Sequence, residues 1–576
     1  MSGPLQPLLD LPGVQFQEES IQGTTIATAT LRVPSNVVFA SLPGVPELHA
    51  FLRDLRARSE DAGLTDPKWL AAVKAVLARR PELLEPLRPY QRQAVLWLLG
   101  RPYGILGDDM GLGKTLTTIR AAEIAVEVCA SPEAAGCWWE QRQPHVLLLA
   151  PKTLRGEWKQ QLRQWSAHAP TREGETFFAC EGTRPEAAKI QAKHRWVFCH
   201  YDILQHWARY LSPLHPIATI ADEAHALKGT RTRRRDAAEF AFGIGWFGWL
   251  LTGTPILNRL TELHSLYHLP SPWGFGSGSA FRRHYLGAQE GAFGLEDGEI
   301  RNEGELQARV ATCYLARKKR DVGLQLPSLT RQLREVELDD NAYADLDGVL
   351  SGLPARSLFE ALLRGAGGPQ TAKLITRAKQ ILAAAKVPAS VGAALDALES
   401  DQSVLVFSGF RAPCNRIAKG IEKAGWETSF VTGALTQPQR EKEIEAFRAP
   451  GGRPRALVAT YATLAVGANL QAASVGVFND LPWTPAELLQ AEARFYRGGQ
   501  GRACTSVWQV GRRTIDDMLI ACLSRKGSLI SDALGDTDAQ TLMDFLSEDE
   551  SVLVEDVIRR WEARRHRDVG GFAPCP

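Results

Sequence analysis

Cysteine is scarce in this chain of 576 residues: there are nine, the closest pair being Cys129 and Cys137, and no C-x-x-C occurs. That scatter argues against a structural zinc site and for a reducing compartment. Long apolar runs are missing as well. The longest, "HVLLLA" and "WFGWLL", fall far short of the ~20 residues that a membrane helix requires. No basic leader followed by an apolar stretch opens the sequence, so no secretory signal is expected and the location is read as intracellular. Nor is there an excess of either charge, since 67 Lys+Arg against 65 Asp+Glu leave a formal +2. Global charge therefore neither favours nor excludes a polyanionic partner, and any nucleic-acid surface must come from local clustering. No short-period internal repeat is visible.

What is present is ordinary in bulk and informative in order. With 44% hydrophobic and 23% charged residues, the composition is that of a globular protein, and the length suggests three or four domains. Two regions carry short runs rich in Val, Ile and Leu that alternate with longer helical patterns. The first set is "YGILG", "HVLLLA", "RWVFCHY", "IATIAD" and "WFGWLLTG"; the second is "SVLVFSGF", "WETSFVTG", "RALVATYA", "SVGVFND" and "TSVWQVG". Continuous hydrophobicity fits strands buried on both faces, as in a parallel sheet covered by helices. The fold class expected is thus α/β, with domains at 81–265 and 390–535. Residues 266–389 open with "LPSPWGFGSGS" and continue with helical periodicity through "GELQARVATCYLARKKRDV", which predicts a helical insertion. Residues 1–80 form an accessory region of unassigned role, and 536–576, acidic and then basic, read as a terminal helix.

Three motifs carry chemistry. "GILGDDMGLGKTLTTI" nearly spells a phosphate-binding loop, with Gly113-Lys114-Thr115 in place but Asp108 where the opening glycine belongs. Gly111 and Gly113 still allow backbone N–H groups to converge on phosphates, Lys114 would reach the β/γ-phosphates, and Thr115 would hold Mg²⁺. A helix starting near Lys114 would add a terminus that favours anions. About 110 residues later, "TIADEAHALKG" ends an apolar strand. There Asp222 would serve Mg²⁺ and Glu223 would orient and deprotonate the attacking water. In "LLQAEARFYRGGQGR", Arg494 and Arg497 lie three apart, on one face if the segment is helical. Cations aimed at a γ-phosphate stabilise the charge that develops as its bond breaks. Alone, these motifs read as a Gly-rich turn, a polar helix start and a solvated basic face; their order and spacing favour the chemical reading.

Taken together, the motifs resemble those of the Swi/Snf-type ATPases of helicase superfamily two, over about 87–500. "LRPYQ" is similar to the adenine-recognising motif, with Gln91 as its glutamine, and "DDMGLGKT" to that family's own phosphate loop, in which an acidic residue replaces the first glycine. "LLLAPKTLRGEWKQQLRQW", "VFCHYDIL", "LTGTPILNRL", "VLVFSGFR" and "AVGANLQAA" resemble motifs Ia, Ib, III, IV and V, and "LARKKRDVGLQLP" an element typical of the family. "GDDMGLGKT", the compact insertion and "QAEARFYRGGQ" look most like the annealing-helicase branch. Two departures stand out. Tyr496 occupies a position where the family usually has His, and "PWTP" places Thr484 where "PWNP" is common.

The resemblance implies two RecA-like domains that use ATP and Mg²⁺. Arg88, Gln91, Asp108, Asp109, Met110, Gly111, Leu112, Gly113, Lys114, Thr115, Gly467 and Gln490 are then expected at the nucleotide, with Lys114, Glu223, Arg494 and Arg497 catalytic. It implies a monomer that translocates on double-stranded or forked DNA without separating strands, gripping phosphates through motifs Ia, Ib, IV and V. Lys152, Thr153, Tyr201, Arg411 and Thr460 are the grip candidates, and "KGTRTRRRD" adds Lys228, Arg231, Arg233, Arg234 and Arg235. Such contacts are blind to sequence. Two alternatives stay open: displacement of DNA-bound protein, and a nucleotide-gated scaffold with little turnover. A protein partner is compatible with either. Composition and the lack of targeting signals point to a prokaryotic or viral source, with a cytoplasmic, nucleoid-associated location.

Overall fold

The computed structural model describes residues 14–21 and 24–31 and, with short breaks, 67–534. The terminal helix expected at 536–576 lies outside the described residues. The chain divides into two compact units. Residues 1–108, 113–255 and 261–316 form the first, and 109–112, 256–260 and 317–576 the second. Among the described residues no single helix is long and apolar enough to cross a membrane.

In the first unit β1 (Val14–Ile21) and β2 (Thr24–Leu31) form an antiparallel hairpin. The main sheet uses β3 (Tyr103–Leu106), β4 (Gln143–Ala150), β5 (Phe177–Ala179), β6 (Trp196–His200), β7 (Pro216–Asp222) and β8 (Phe247–Leu251). A small hairpin, β9 (Gln289–Gly291) and β10 (Gly294–Glu296), precedes a seventh sheet strand, β11 (Tyr314–Leu315). The order is β11-β3-β8-β7-β4-β6-β5, all parallel. Burial explains the sequence pattern: every residue of β8, and every residue of β7 before Asp222, is buried. The helix after β3, Lys114–Cys129, carries buried Ala121, Ala122 and Ala125, small residues that let it pack closely. In a parallel sheet the strand ends that bear loops for ligands are the carboxyl ends. Here β3 delivers the glycine-rich loop and β7 delivers Asp222, with only β8 between them, a lateral separation of about 10 Å.

The second unit is built on β12 (Leu329–Val336), β13 (Ser403–Ser408), β14 (Thr428–Val431), β15 (Ala456–Thr460), β16 (Ala473–Phe478) and β17 (Cys504–Gly511). Their order is β12-β17-β16-β13-β15-β14, again all parallel. Side chains alternate between two cores, as the strand period of two requires. Val404, Val406, Val475 and Val477 pack with Ala394, Ile417 and Ile421. Leu405, Phe407, Phe478 and Trp508 pack with Leu358, Ile375 and Leu519. The result is a sheet covered on both faces, as the apolar runs implied.

The helical insertion at 266–389 is where expectation and structure part. As expected of an insertion spanning both lobes, its residues fall to the two units on either side of position 316; the difference is that it holds strands as well as helices. The helix expected through "RKKRDV" stops at Cys313, because Tyr314 and Leu315 pair with Ile105 and Leu106 on the edge of the first sheet. β12 extends the second sheet beside β17 over eight residue pairs.

Candidate nucleotide site

The loop after β3 answers its own anomaly. Only Gly111 (φ 88°) and Gly113 (φ 79°) in it adopt left-handed backbone, the region that favours glycine. Position 108 has no such demand, so an aspartate fits there. Gly113 is required twice over, since a Cβ on it would sit 2.4 Å from the Gln91 side-chain nitrogen. Gln91 is itself fixed: it is buried, and its side-chain oxygen accepts the Arg88 backbone N–H at 2.9 Å. Arg88 thus caps the helix Pro89–Leu99 that carries Gln91. The helix that begins at Lys114 starts directly from the left-handed Gly113, which leaves its first N–H groups at the loop. Lys114 Nζ donates to the Asp108 carbonyl, so its ammonium already lies along the loop.

The neighbours of that lysine serve two purposes. Asp109, expected at the nucleotide, is instead a clamp on the polypeptide. Its backbone N–H donates to the Arg317 carbonyl at 3.0 Å, one carboxylate oxygen accepts the Lys319 N–H at 3.0 Å, and the other meets Lys318 Nζ at 3.2 Å. With both oxygens engaged, the side chain is not offered to a phosphate. Leu112 is a core residue, 1% exposed, so what it presents to a ligand is backbone. Asp108 is buried, and Met110 and Thr115 are half-buried.

At the end of β7, three groups converge on Asp222. Trp158 Nε1 donates to Asp222 Oδ2 at 2.8 Å, the Glu223 N–H donates to Oδ1 at 2.9 Å, and the Tyr201 hydroxyl donates to the Asp222 carbonyl at 2.6 Å. Burial first, and then the adjacent Glu223 carboxylate, push the Asp222 carboxyl up to about 7, against the pull of these donors. A carboxylate strained by desolvation and a like charge gains from a nearby dication. Thr115 and Asp222 carry hard oxygen atoms of the kind that suit Mg²⁺, an ion that usually keeps waters and phosphate oxygens as its other ligands. Among the described residues no cluster of three or more His, Cys, Asp or Glu could hold a metal. Glu223 sits in left-handed backbone, φ 48°, a conformation costing a side-chain-bearing residue about 1–2 kcal/mol. Observed strain of this kind gathers at functional positions.

In the second unit the helix Pro485–Glu492 ends before the two arginines. Arg494 and Phe495 N–H groups bond three residues back, to Ala491 and Glu492, so the chain tightens into turns and the helical-face argument for Arg494 and Arg497 does not hold. Other contacts fix the segment. Phe495 is fully buried and fills the space above Gly476, where a Cβ would lie 2.5 Å from its ring. Gln500 Nε2 donates to the carbonyls of Phe495 and Ala473, and Gln471 Nε2 to that of Gly498. Arg331 on β12 grips Glu492 with two nitrogens. The outcome is that Arg497 lies along Gly111: a Cβ on that glycine would be 3.3 Å from Arg497 Cβ and 3.7 Å from its Nε. Both residues belong to the second unit. Arg494 is buried, 6% exposed, as is Gln490 in the preceding helix. Gly467 lies outside the described residues.

The SNF2-related domain model matches residues 90–345, and the helicase conserved C-terminal domain model matches 389–499. The chain belongs to the Swi/Snf-type ATPases of helicase superfamily two. The matched domains are those of ATP-hydrolysing enzymes. It is similar to the SWI/SNF-related matrix-associated actin-dependent regulator of chromatin subfamily A-like protein 1 of Bos taurus, with 26% identity over 81% of this chain and 47% of that protein. It is equally similar to YwqA of Bacillus subtilis, 26% identical over 78% of this chain and 49% of that protein. The chain spans about half the length of these relatives. A Sulfolobus solfataricus SWI2/SNF2 ATPase core solved with dsDNA aligns over 82% of this chain and 96% of its own, at 22% identity and a TM-score of 0.36.

The grip positions expected of a Swi/Snf-type ATPase are met unevenly. Lys152 is exposed and Thr153 half-buried in the turn that follows β4, and Arg411 is exposed at the start of the helix Arg411–Lys423. Thr460 hydrogen-bonds Thr463 through its hydroxyl. Tyr201 is corrected: it is 3% exposed, and its hydroxyl is spent on the Asp222 carbonyl, so it steadies the end of β7 and has no hydroxyl for DNA. The basic run is also less available than its sequence suggests. Lys228 pairs with Glu262 at 2.9 Å and Arg234 with Asp202 at 2.5 Å, while buried Arg235 is tied to Glu239 and Ser265. Arg233 is exposed, and Arg231 lies outside the described residues. Tyr201→Phe should therefore lower stability by about 0.5–1.5 kcal/mol, read from urea unfolding, and leave the salt dependence of DNA binding unchanged. A slope reduced by one contact would return Tyr201 to the DNA.

Sequence reasoning missed Trp158 as a donor to Asp222, and Arg317, Lys318 and Lys319 as the clamp on Asp109. The first had no signal beyond a tryptophan inside motif Ia. The second had one, the "ARKKRDV" element itself, but not its partner.

Proposed function

We propose that this Swi/Snf-type ATPase is a translocase on double-stranded DNA driven by Mg²⁺-ATP. The observation that most supports the reading is the placement of Arg497 along Gly111 of the phosphate loop. A scaffold that only binds nucleotide needs no cation there, whereas hydrolysis does. Lys114 and the loop's N–H groups hold the phosphates, and Gln91 is the adenine contact. Thr115 and Asp222 would hold Mg²⁺, which when bound would supply positive charge to offset that of the phosphates. Glu223 orients the attacking water and takes its proton, and Arg497, assisted by Arg494, stabilises the charge that develops.

DNA as the track is carried by the family and by exposed cations on both units, Lys152, Arg233 and Arg411. Forked DNA is the substrate that the annealing-helicase look of the motifs favours. Displacement of a third strand from a triplex, with a blunt duplex left unseparated, tests translocation. Third-strand release that needs ATP is expected; strand separation of the duplex would contradict the reading. Neutralising Lys152, Arg233 and Arg411 together should flatten the plot of log binding constant against log salt by about 0.9 per lost contact on duplex DNA. An unchanged slope would remove these three from the DNA surface.

A further inference from the structure

We propose that Lys319 is a positioning residue for Arg497, holding the arginine segment and the phosphate loop in register from a single site. Lys319 bonds in two directions. Its backbone N–H donates to the Asp109 carboxylate at 3.0 Å, and its Nζ donates to the Tyr496 carbonyl at 2.8 Å. That carbonyl belongs to the peptide that enters Arg497. The same ammonium stands 5.2 Å from the Tyr496 ring centroid, within the range of a cation–π contact.

The flanking residues reinforce each arm. Lys318 Nζ pairs with the other Asp109 oxygen at 3.2 Å. On the opposite side, Leu324, whose N–H donates to the Lys319 carbonyl at 3.2 Å, packs on Gly498 so closely that a Cβ there would lie 3.2 Å from Leu324 Cδ2. Asp109 and Tyr496 are 387 positions apart in sequence, and one lysine reads both. The Tyr496 ring also gives a reason for the departure at this position: a phenol face accepts an ammonium, and a protonated imidazole would repel it.

Lys319 contacts no reacting atom, so its effect must pass through Arg497. A displacement of about 1 Å at a catalytic group costs roughly 10²-fold in rate. Lys319→Met, close in length but without charge or donors, should therefore lower kcat about ten- to a hundredfold. Affinity for a fluorescent ADP analogue and the melting temperature should stay near wild type. Lys319→Arg, which keeps a cation for the carbonyl and the ring, should recover most of the rate. The decisive comparison is the double variant. If Lys319 acts through Arg497, then Lys319→Met costs little further turnover once Arg497→Ala is in place. Multiplicative losses, or a fall in ADP affinity and melting temperature that matches the fall in kcat, would overturn the proposal. The inference rests on Arg497 assisting hydrolysis, and the two fail separately. An Arg497→Ala single variant with normal kcat sinks the role of the arginine; a normal Lys319→Met with a crippled Arg497→Ala sinks only the lysine.

Discussion

Arg497→Ala is expected to lower kcat by roughly 10³–10⁵-fold, the range seen when an arginine that stabilises phosphoryl-transfer charge is removed, while nucleotide affinity falls far less. The size follows from geometry and chemistry. The side chain lies along Gly111, whose left-handed backbone turns the phosphate loop. Its segment is over-determined by Gln471, Gln500 and the buried ring of Phe495. A backbone fixed that firmly would limit the reorganisation needed for the guanidinium to meet charge as it builds in the transition state. Lysine should restore only a small part of the rate, because a point charge lacks the planar fork that matches phosphate oxygens. Steady-state phosphate release with an independent binding titration checks this. Parallel losses in binding and turnover would make Arg497 a structural residue.

Glu223→Gln should keep ATP binding and lose hydrolysis by roughly 10²–10⁴-fold, the usual worth of a general base. The amide preserves shape and hydrogen bonding but cannot take a proton. Glu223 leaves the strand in a left-handed conformation and its carboxylate lies 3.2 Å from His225 Nδ1, while the two oxygens of Asp222 are engaged by Trp158 and the Glu223 N–H. This arrangement is compatible with the proposed division of labour, Asp222 for the cation and Glu223 for the water. Single-turnover hydrolysis measures the loss, and a variant that cycles at the normal rate would remove Glu223 from the chemistry.

How much of this was legible in the sequence depends on burial and on length. The ten strands read from apolar runs are all present, and those inside the sheets were legible because a strand covered on both faces must be apolar throughout. β12 escaped notice because it lies at a sheet edge and alternates: "LTRQLREV" is partly exposed along its length, and Arg331 is there to hold Glu492. β11 and β5, of two and three residues, are too short for any periodicity to show. At the site, the phosphate loop and the D-E-A-H strand end could be read because their residue types are dictated locally, by left-handed backbone and by strand termination. Tyr201 and Arg235 could not. A tyrosine or an arginine near a motif looks available until tertiary packing shows the Asp222 carbonyl on one and Ser265 on the other. The Asp109 clamp was hidden for a related reason, since its partners Arg317, Lys318 and Lys319 are about 210 positions away.

The most direct test of the central claim is the rate of phosphate release at fixed salt, measured without nucleic acid and with saturating duplex DNA, single strand, forked DNA or RNA. The account predicts strong stimulation by duplex and forked DNA, abolished by Lys114→Ala. A rate that is the same with and without duplex would contradict it.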